Sequence, residues 1–143
     1  MTKSVLCAVD ISNPESEGAV LKVALQIAEM EKAQLDVITV VPDYGMSHVG
    51  GYFDKDHSKK MAQEAKSLLN DLISESLGAA NNKNVRHIVA TGSVYDEVLK
   101  TAKIAESDII VVGAHKPDLK DFLLGPNAAR IVRHAMCSVY VVR

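Results

Sequence analysis

The apolar run DIIVVG ends at Gly113, and a second glycine, Gly125, stands just before the alanine-rich start of a helix in GPNAAR. A glycine at a strand exit permits close backbone approach that a Cβ would block. A helix amino terminus beside it presents unpaired N–H groups, so the pair suits a phosphate. Asp10, which ends the first apolar run SVLCAVD, offers a carboxylate to a ligand; alternatively it is a turn residue bonding the backbone of Ser12. Arg130, one turn into the last helix, either reaches a terminal phosphate or faces solvent as most arginines do. His115 suits a role through its backbone N–H, because the sequence fixes no carboxylate beside it for acid–base work. His134 lies where it complements a helix dipole, and His48, His57 and His87 share no usable spacing. Cys7 and Cys137 form no CxxC or Cys/His cluster and read as small buried thiols.

Five apolar runs must position these groups: SVLCAVD, QLDVITVV, VRHIVAT, DIIVVG and SVYVVR. They are rich in Val and Ile and only weakly alternating, as in parallel strands buried on both faces. Helical spacing fills the gaps. The first helix starts at Asn13-Pro14 and turns Val20, Ala24, Ile27 and Ala28 to one face. The second runs from about His57 to Leu77, with Met61, Ala65, Leu68, Leu69, Leu72 and Ile73 on its stripe, and stops at Gly78. The third opens with a capping box at Ser93 and turns Val94, Val98, Leu99 and Ala102 inward, and the fourth spans about Gly125 to Ala135. The polar NNKN at 81–84 reads as a turn. The segment from Pro42 to Asp56 is long for a strand-to-helix connection and is either a mobile crossover or a lid or subunit contact.

A βαβαβαβαβ order with right-handed crossovers predicts an α/β fold, a three-layer αβα sandwich around a five-stranded parallel sheet, as one domain over residues 1–143. Strand order 3-2-1-4-5, as in doubly wound nucleotide folds, puts the switch point between strands one and four and Asp10 beside Gly113. Sixteen basic against eighteen acidic residues give a net charge of −2, so nothing favours a nucleic acid or an anionic membrane as partner. The amino-terminal run is too short for a signal peptide or membrane span, which makes the cytoplasm the expected location. The last run has no helix after it and is expected at a sheet edge, where it could pair with a second copy in a homodimer.

These residues resemble the universal stress protein family. The likeness rests on Gly113-Ala-His115-Lys116, on Gly125-Pro126-Asn127, on the closing RHAMCSVYVVR, on Asp10, and on TGSVYDEVLKTAKIAESDIIVVGAH at 91–115. It covers essentially the whole chain and implies a Rossmann-like fold of the adenine nucleotide alpha hydrolase type. It further implies that ATP, or ADP or AMP, is bound, with Mg²⁺ as a candidate companion of the phosphates. By this resemblance Asp10, flanked by Ala8 and Val9, approaches the adenosine; the backbone of Thr39, Val40 and Val41 reads the adenine edge; and the loop that holds Gly113, His115, Lys116, Gly125, Pro126 and Asn127 wraps the phosphates.

Two positions depart from the family's ATP-binding pattern. Lys116 stands at its second glycine and Pro126 at its hydroxyl residue. A lost hydrogen bond to a charged group costs roughly 1.5–3 kcal/mol, on the order of tenfold to a hundredfold in affinity. An ammonium about 4 Å from a phosphate returns ~4 kcal/mol at an effective dielectric of 20, and less when solvated. Two functions follow: a nucleotide-binding stress sensor or regulator, or the same fold with a degenerate loop that holds a simple anion or other small ligand and acts through partners. A dedicated enzyme is disfavoured, since DISNPES has no Ser-Gly-Gly-type phosphate loop and VRHIVATGS lacks the acceptor aspartate of a phosphoreceiver.

Overall fold

Alternation along the central strands divides their side chains between two cores, and each core demands its own layer of helices. The computed structural model describes residues 3–42, 55–114 and 124–143. It contains β1 (Ser4–Ala8), α1 (Pro14–Glu31), β2 (Gln34–Val41), α2 (Lys55–Leu77), α3 (Ala79–Asn82), β3 (Arg86–Thr91), α4 (Val94–Ile104), β4 (Ile109–Gly113), α5 (Pro126–His134) and β5 (Ser138–Val142). All neighbouring strands are parallel, in the order β3-β2-β1-β4-β5. Both the three-layer architecture and the strand order agree with the expectation from sequence.

Val5, Cys7, Val9, Leu35, Val37 and Val111 point to one face. There they meet Val20, Leu21, Ala24, Ile27 and Ala28 of α1 and Leu69, Leu72, Ile73 and Leu77 of α2. Leu6, Ile38, Ile110 and Val112 point to the other, against Val98 and Ala102 of α4 and Ala128 and Ile131 of α5. The first two crossovers therefore cover one face and the last two the opposite face, so connections diverge between β1 and β4. Burial is complete only in the central strands. At the edges β3 is half-buried from His87 to Ala90 and exposed at both ends, and β5 alternates, with Tyr140 50% exposed, because each pairs on one side alone.

Helix boundaries depart from expectation in instructive places. Leu68, assigned to the buried stripe of α2, is 52% exposed, because the apolar face turns through Ala65, Leu69, Leu72 and Ile73 instead. Gly78, at φ 86°, ends α2 as expected, but a short helix, α3, takes in the first half of the polar segment 81–84 and leaves Lys83 and Asn84 as the turn. Its asparagines supply the reason. Asn81 Nδ2 donates to the Leu77 carbonyl at 2.8 Å, and Asn82 Nδ2 donates to Asn70 Oδ1 at 2.9 Å and Ser74 Oγ at 2.7 Å. Asn82 Oδ1 meets His87 Nε2 at 2.6 Å, which ties α2 to β3. Neither Asn13 nor Ser93 makes the side-chain cap its identity suggested. Pro14 at the first position of α1 and the extended backbone of Ser93 set those helix starts without it.

The end of α1 shows no glycine because a lysine takes its place. Lys32 adopts the left-handed conformation, φ 53° and ψ 46°, and the Ala33 N–H bonds the Ala28 carbonyl at 2.8 Å. A side chain in that conformation costs on the order of 1 kcal/mol that glycine avoids, less glycine's own entropy. Lys32→Gly is therefore expected to raise the free energy of unfolding by about 0.5 kcal/mol, read from the urea midpoint at unchanged slope; a lowered midpoint would contradict this account of the helix end.

Candidate functional site

The carboxyl ends of β1 and β4 open together. Cys7 pairs with Val111 across the two strands, so Asp10 follows three residues beyond the last paired position and Gly113 two beyond. Val9 extends the sheet by donating to the Ile38 carbonyl at 2.9 Å, which brings the end of β2, with buried Thr39 and half-buried Val40 and Val41, to the same rim. On the other side Ala114 donates to the Val142 carbonyl at 2.9 Å, so β5 seals β4 up to its exit. Asp10, Thr39, Val40, Val41 and Gly113 thus lie at one end of the sheet, and Ala8 and Val9 lead into it.

Asp10 is exposed and its Oδ1 accepts from the Ser12 N–H at 2.9 Å and the Ser12 hydroxyl at 2.6 Å. The turn role is real, and it occupies one carboxylate oxygen. Among the described residues no hydrogen bond engages the other. Backbone conformation does not demand glycine at Gly125, whose φ of −59° and ψ of 158° are open to any residue, and Gly113 is the last residue of a strand. The left-handed glycine of this rim is Gly92, at φ 138°, whose N–H donates to the Val41 carbonyl at 3.0 Å. A Cβ there would lie 3.3 Å from Glu97 Oε1.

Gly125 is the buried N-cap of α5 and makes no side-chain cap. Its carbonyl takes the first helical bond, from Ala129 at 2.9 Å, which leaves the N–H groups of Asn127 and Ala128 without an intrahelical acceptor; Pro126 has none to offer. Arg133 and His134 stand in the last turn, where positive charge complements the dipole. Arg130 is exposed, and its guanidinium lies 4.8 Å from the centroid of the Tyr95 ring on α4. That contact orients the arginine along α4 and α5 and was invisible in the sequence, where Tyr95 had no assigned role. His115 and Lys116 fall outside the described residues, as does most of the 42–56 connection. No group of three His, Cys, Asp or Glu side chains able to hold a metal occurs among the described residues.

The model of the Universal stress protein family matches residues 1–143. Universal stress protein G of Shigella flexneri is 26% identical over 145 residues, covering all of both chains. The universal stress protein UspA from Lactobacillus plantarum has the same fold, with a TM-score of 0.75 at 24% identity over 99% of this chain and 97% of that one. A universal stress protein solved in complex with cAMP gives 0.68 at 21% identity, covering 99% and 97%. The one from Archaeoglobus fulgidus in complex with dAMP gives 0.67 at 17% identity, covering 99% and 98%.

One group at the rim had no place in the sequence reading. Glu17, in the first turn of α1, accepts the Asp10 N–H on Oε1 at 3.2 Å, while its Oε2 is buried with no partner among the described residues. Burial is the main reason its carboxyl rises from the ordinary 4.5 to about 7; the Asp10 N–H opposes the rise and the Asp10 charge adds to it. The folded chain therefore holds more protons than the unfolded one between those values. Stability from protonated Glu17 is complete below about pH 4.5 and is lost as pH rises through about 7. Glu17→Gln keeps an acceptor for Asp10 and removes the titration. Urea midpoints should shift in favour of the variant, relative to the unmodified chain, as pH goes from 5 to 8; a constant difference would contradict the buried-carboxyl account.

Proposed function

Because the chain belongs to the universal stress protein family, we propose that it binds ATP or a related adenine nucleotide and serves as a stress-response sensor or regulator in the cytoplasm. One observation carries the reading: Asp10 leaves β1 at the end of the sheet where β4 exits toward the α5 amino terminus. That is the topological switch point, where open α/β sheets take their ligands. The unengaged Asp10 oxygen would accept from a ribose hydroxyl, and the backbone around Val40 would read the adenine edge. The Asn127 and Ala128 N–H groups, with Gly113, Gly125, His115, Lys116 and Arg130, would hold the phosphates, and Mg²⁺ would ride on those phosphates. The family's cAMP and dAMP complexes support an adenine ligand.

The role is binding and signalling, with any hydrolysis slow. Cytoplasmic residence is supported by two unpaired cysteines, Cys7 and Cys137, as a reducing compartment keeps them. Among the described residues no helix is long and apolar enough to cross a membrane. The dimer proposed through β5 is supported by its position at the sheet edge and by half-exposed Tyr140. Light scattering at micromolar concentration is expected to give twice the chain mass, and a monomer would remove that part of the reading.

Titration calorimetry of nucleotide-free protein with ATP, ADP and AMP tests the ligand. Saturable heat is expected with at least one of them. Asp10→Asn keeps the turn acceptor for Ser12 and removes the charge, so it should weaken binding about tenfold with an unchanged unfolding midpoint. No heat with any nucleotide at high micromolar concentration, with heat from phosphate or sulfate, would favour the simple-anion reading instead. Pro126, which supplies no N–H to the phosphates, is the residue that would explain that outcome.

A further inference from the structure

At the amino-terminal end of β3, the end of that strand away from the candidate site, α2, α3 and β3 border an open pocket of about 420 Å³. Ligand pockets typically occupy ~300–1,000 Å³. Lys66, Asn70 and Ser74 line it from α2, where their spacing of one helical turn puts them on one face. Asn82 and Lys83 enter from the end of α3, and His87 from β3. The lining holds no acidic residue: Asp71 and Glu75, next along α2, are exposed and do not contribute to it.

Asn82 orders the floor of this pocket. It gives both amide hydrogens away, to Asn70 Oδ1 at 2.9 Å and to Ser74 Oγ at 2.7 Å. Its Oδ1, 2.6 Å from His87 Nε2, is then the accepting atom, which sets the proton of the neutral ring on Nε2 and leaves Nδ1 to take a second one. The amide oxygens of Asn70 and Asn82 are thus used inside the network. What it leaves over are donors: the Asn70 amide hydrogens and the Ser74 hydroxyl have no acceptor among the described residues. Lys66 and Lys83 add two ammonium groups, and among the described residues neither forms an ion pair. His87 feels that charge. Burial first and Lys66 second hold its pKa below the ordinary histidine value. In a chain of net charge −2, this pocket is locally positive and short of acceptors.

We propose that this pocket is an anion site, separate from the crevice at Asp10, that takes a small tetrahedral dianion of the phosphate class, with Lys66 and Lys83 matching its charge and Asn70 and Ser74 donating to its oxygens. Exposed charge pairs are individually weak, so the site works at concentrations on the order of millimolar, and a nucleotide at micromolar concentration does not fill it. A dianion held beside the ring stabilises protonated His87, so occupancy drives the midpoint of that histidine upward.

The ring therefore reports binding, in NMR titrations of the histidine side chains from pH 5 to 8. Sulfate keeps both charges throughout that range. It is expected to raise the His87 midpoint saturably and beyond the effect of sodium chloride at the same ionic strength, which only screens Lys66. The Asn70 side-chain amide should shift with the same saturation. Lys66→Gln and Lys83→Gln should each raise the half-saturating concentration roughly two- to fivefold, and the double variant should lose the saturable response at an unchanged unfolding midpoint. At pH 7.5 inorganic phosphate is compared with glycerol 3-phosphate: tighter binding of the ester assigns the site to esters, and equal binding to the free ion. The proposal is overturned if chloride raises the His87 midpoint as far as sulfate does, if the double variant responds like the unmodified chain, or if sulfate moves only Asn127 and Ala128, whose amides report the crevice.

Discussion

The reversal of crossover direction beside β1 is the constraint on which the rest of this molecule depends. With β1 flanked by β2 and β4, its side chains alternate between two cores and neither face is free. Right-handed connections then send α1 and α2 to one face and α4 and α5 to the other. The strands on either side of that divide cannot share a covering loop, and their carboxyl ends part. What the described residues leave there is Asp10 with one carboxylate oxygen unbonded, a glycine at the exit of β4, and the amino end of α5. The candidate site is a consequence of packing and does not need to be carved from the core.

A chain of net charge −2 has no global field to draw an anion, so any attraction at this rim is local. It comes from the dipole of a nine-residue helix, from its first N–H groups, which have no intrahelical acceptor, and from a few basic side chains. Against it stand Asp10 and Glu17. Burial favours the protonated form of Glu17, which limits the negative charge next to Asp10 at and below neutral pH. Arg130, drawn over Tyr95, links the middle of α5 to the amino-terminal turn of α4 and so couples two helices that both border the rim.

Much of the fold was legible because the central strands leave little choice: QLDVITVV gave the bounds of β2 residue for residue, and the glycine ends of β4 and α2 fell where expected. Legibility failed where a side chain did an unusual job. Lys32 ends α1 in a conformation that normally announces itself by glycine, and Asn81 and Asn82 turn a polar loop into a helical turn by bonding across it. At the site, Asp10 and the two bracketing glycines were readable from their places at strand and helix ends. Glu17 and Gly92 were not, since the first acts through burial and the second through a left-handed angle at a junction already explained by Ser93.

The central claim is positional, so the most direct measurement is residue-by-residue amide shift mapping by NMR as AMP or ATP is added to nucleotide-free protein. Changes are expected to cluster at the carboxyl rim, on Val9, Asp10, Val40, Val41, Gly113, Asn127 and Ala128, with the amino-terminal rim around Ser107 and Cys137 unmoved. Saturable changes centred on that opposite rim, or none at the switch point, would contradict the account.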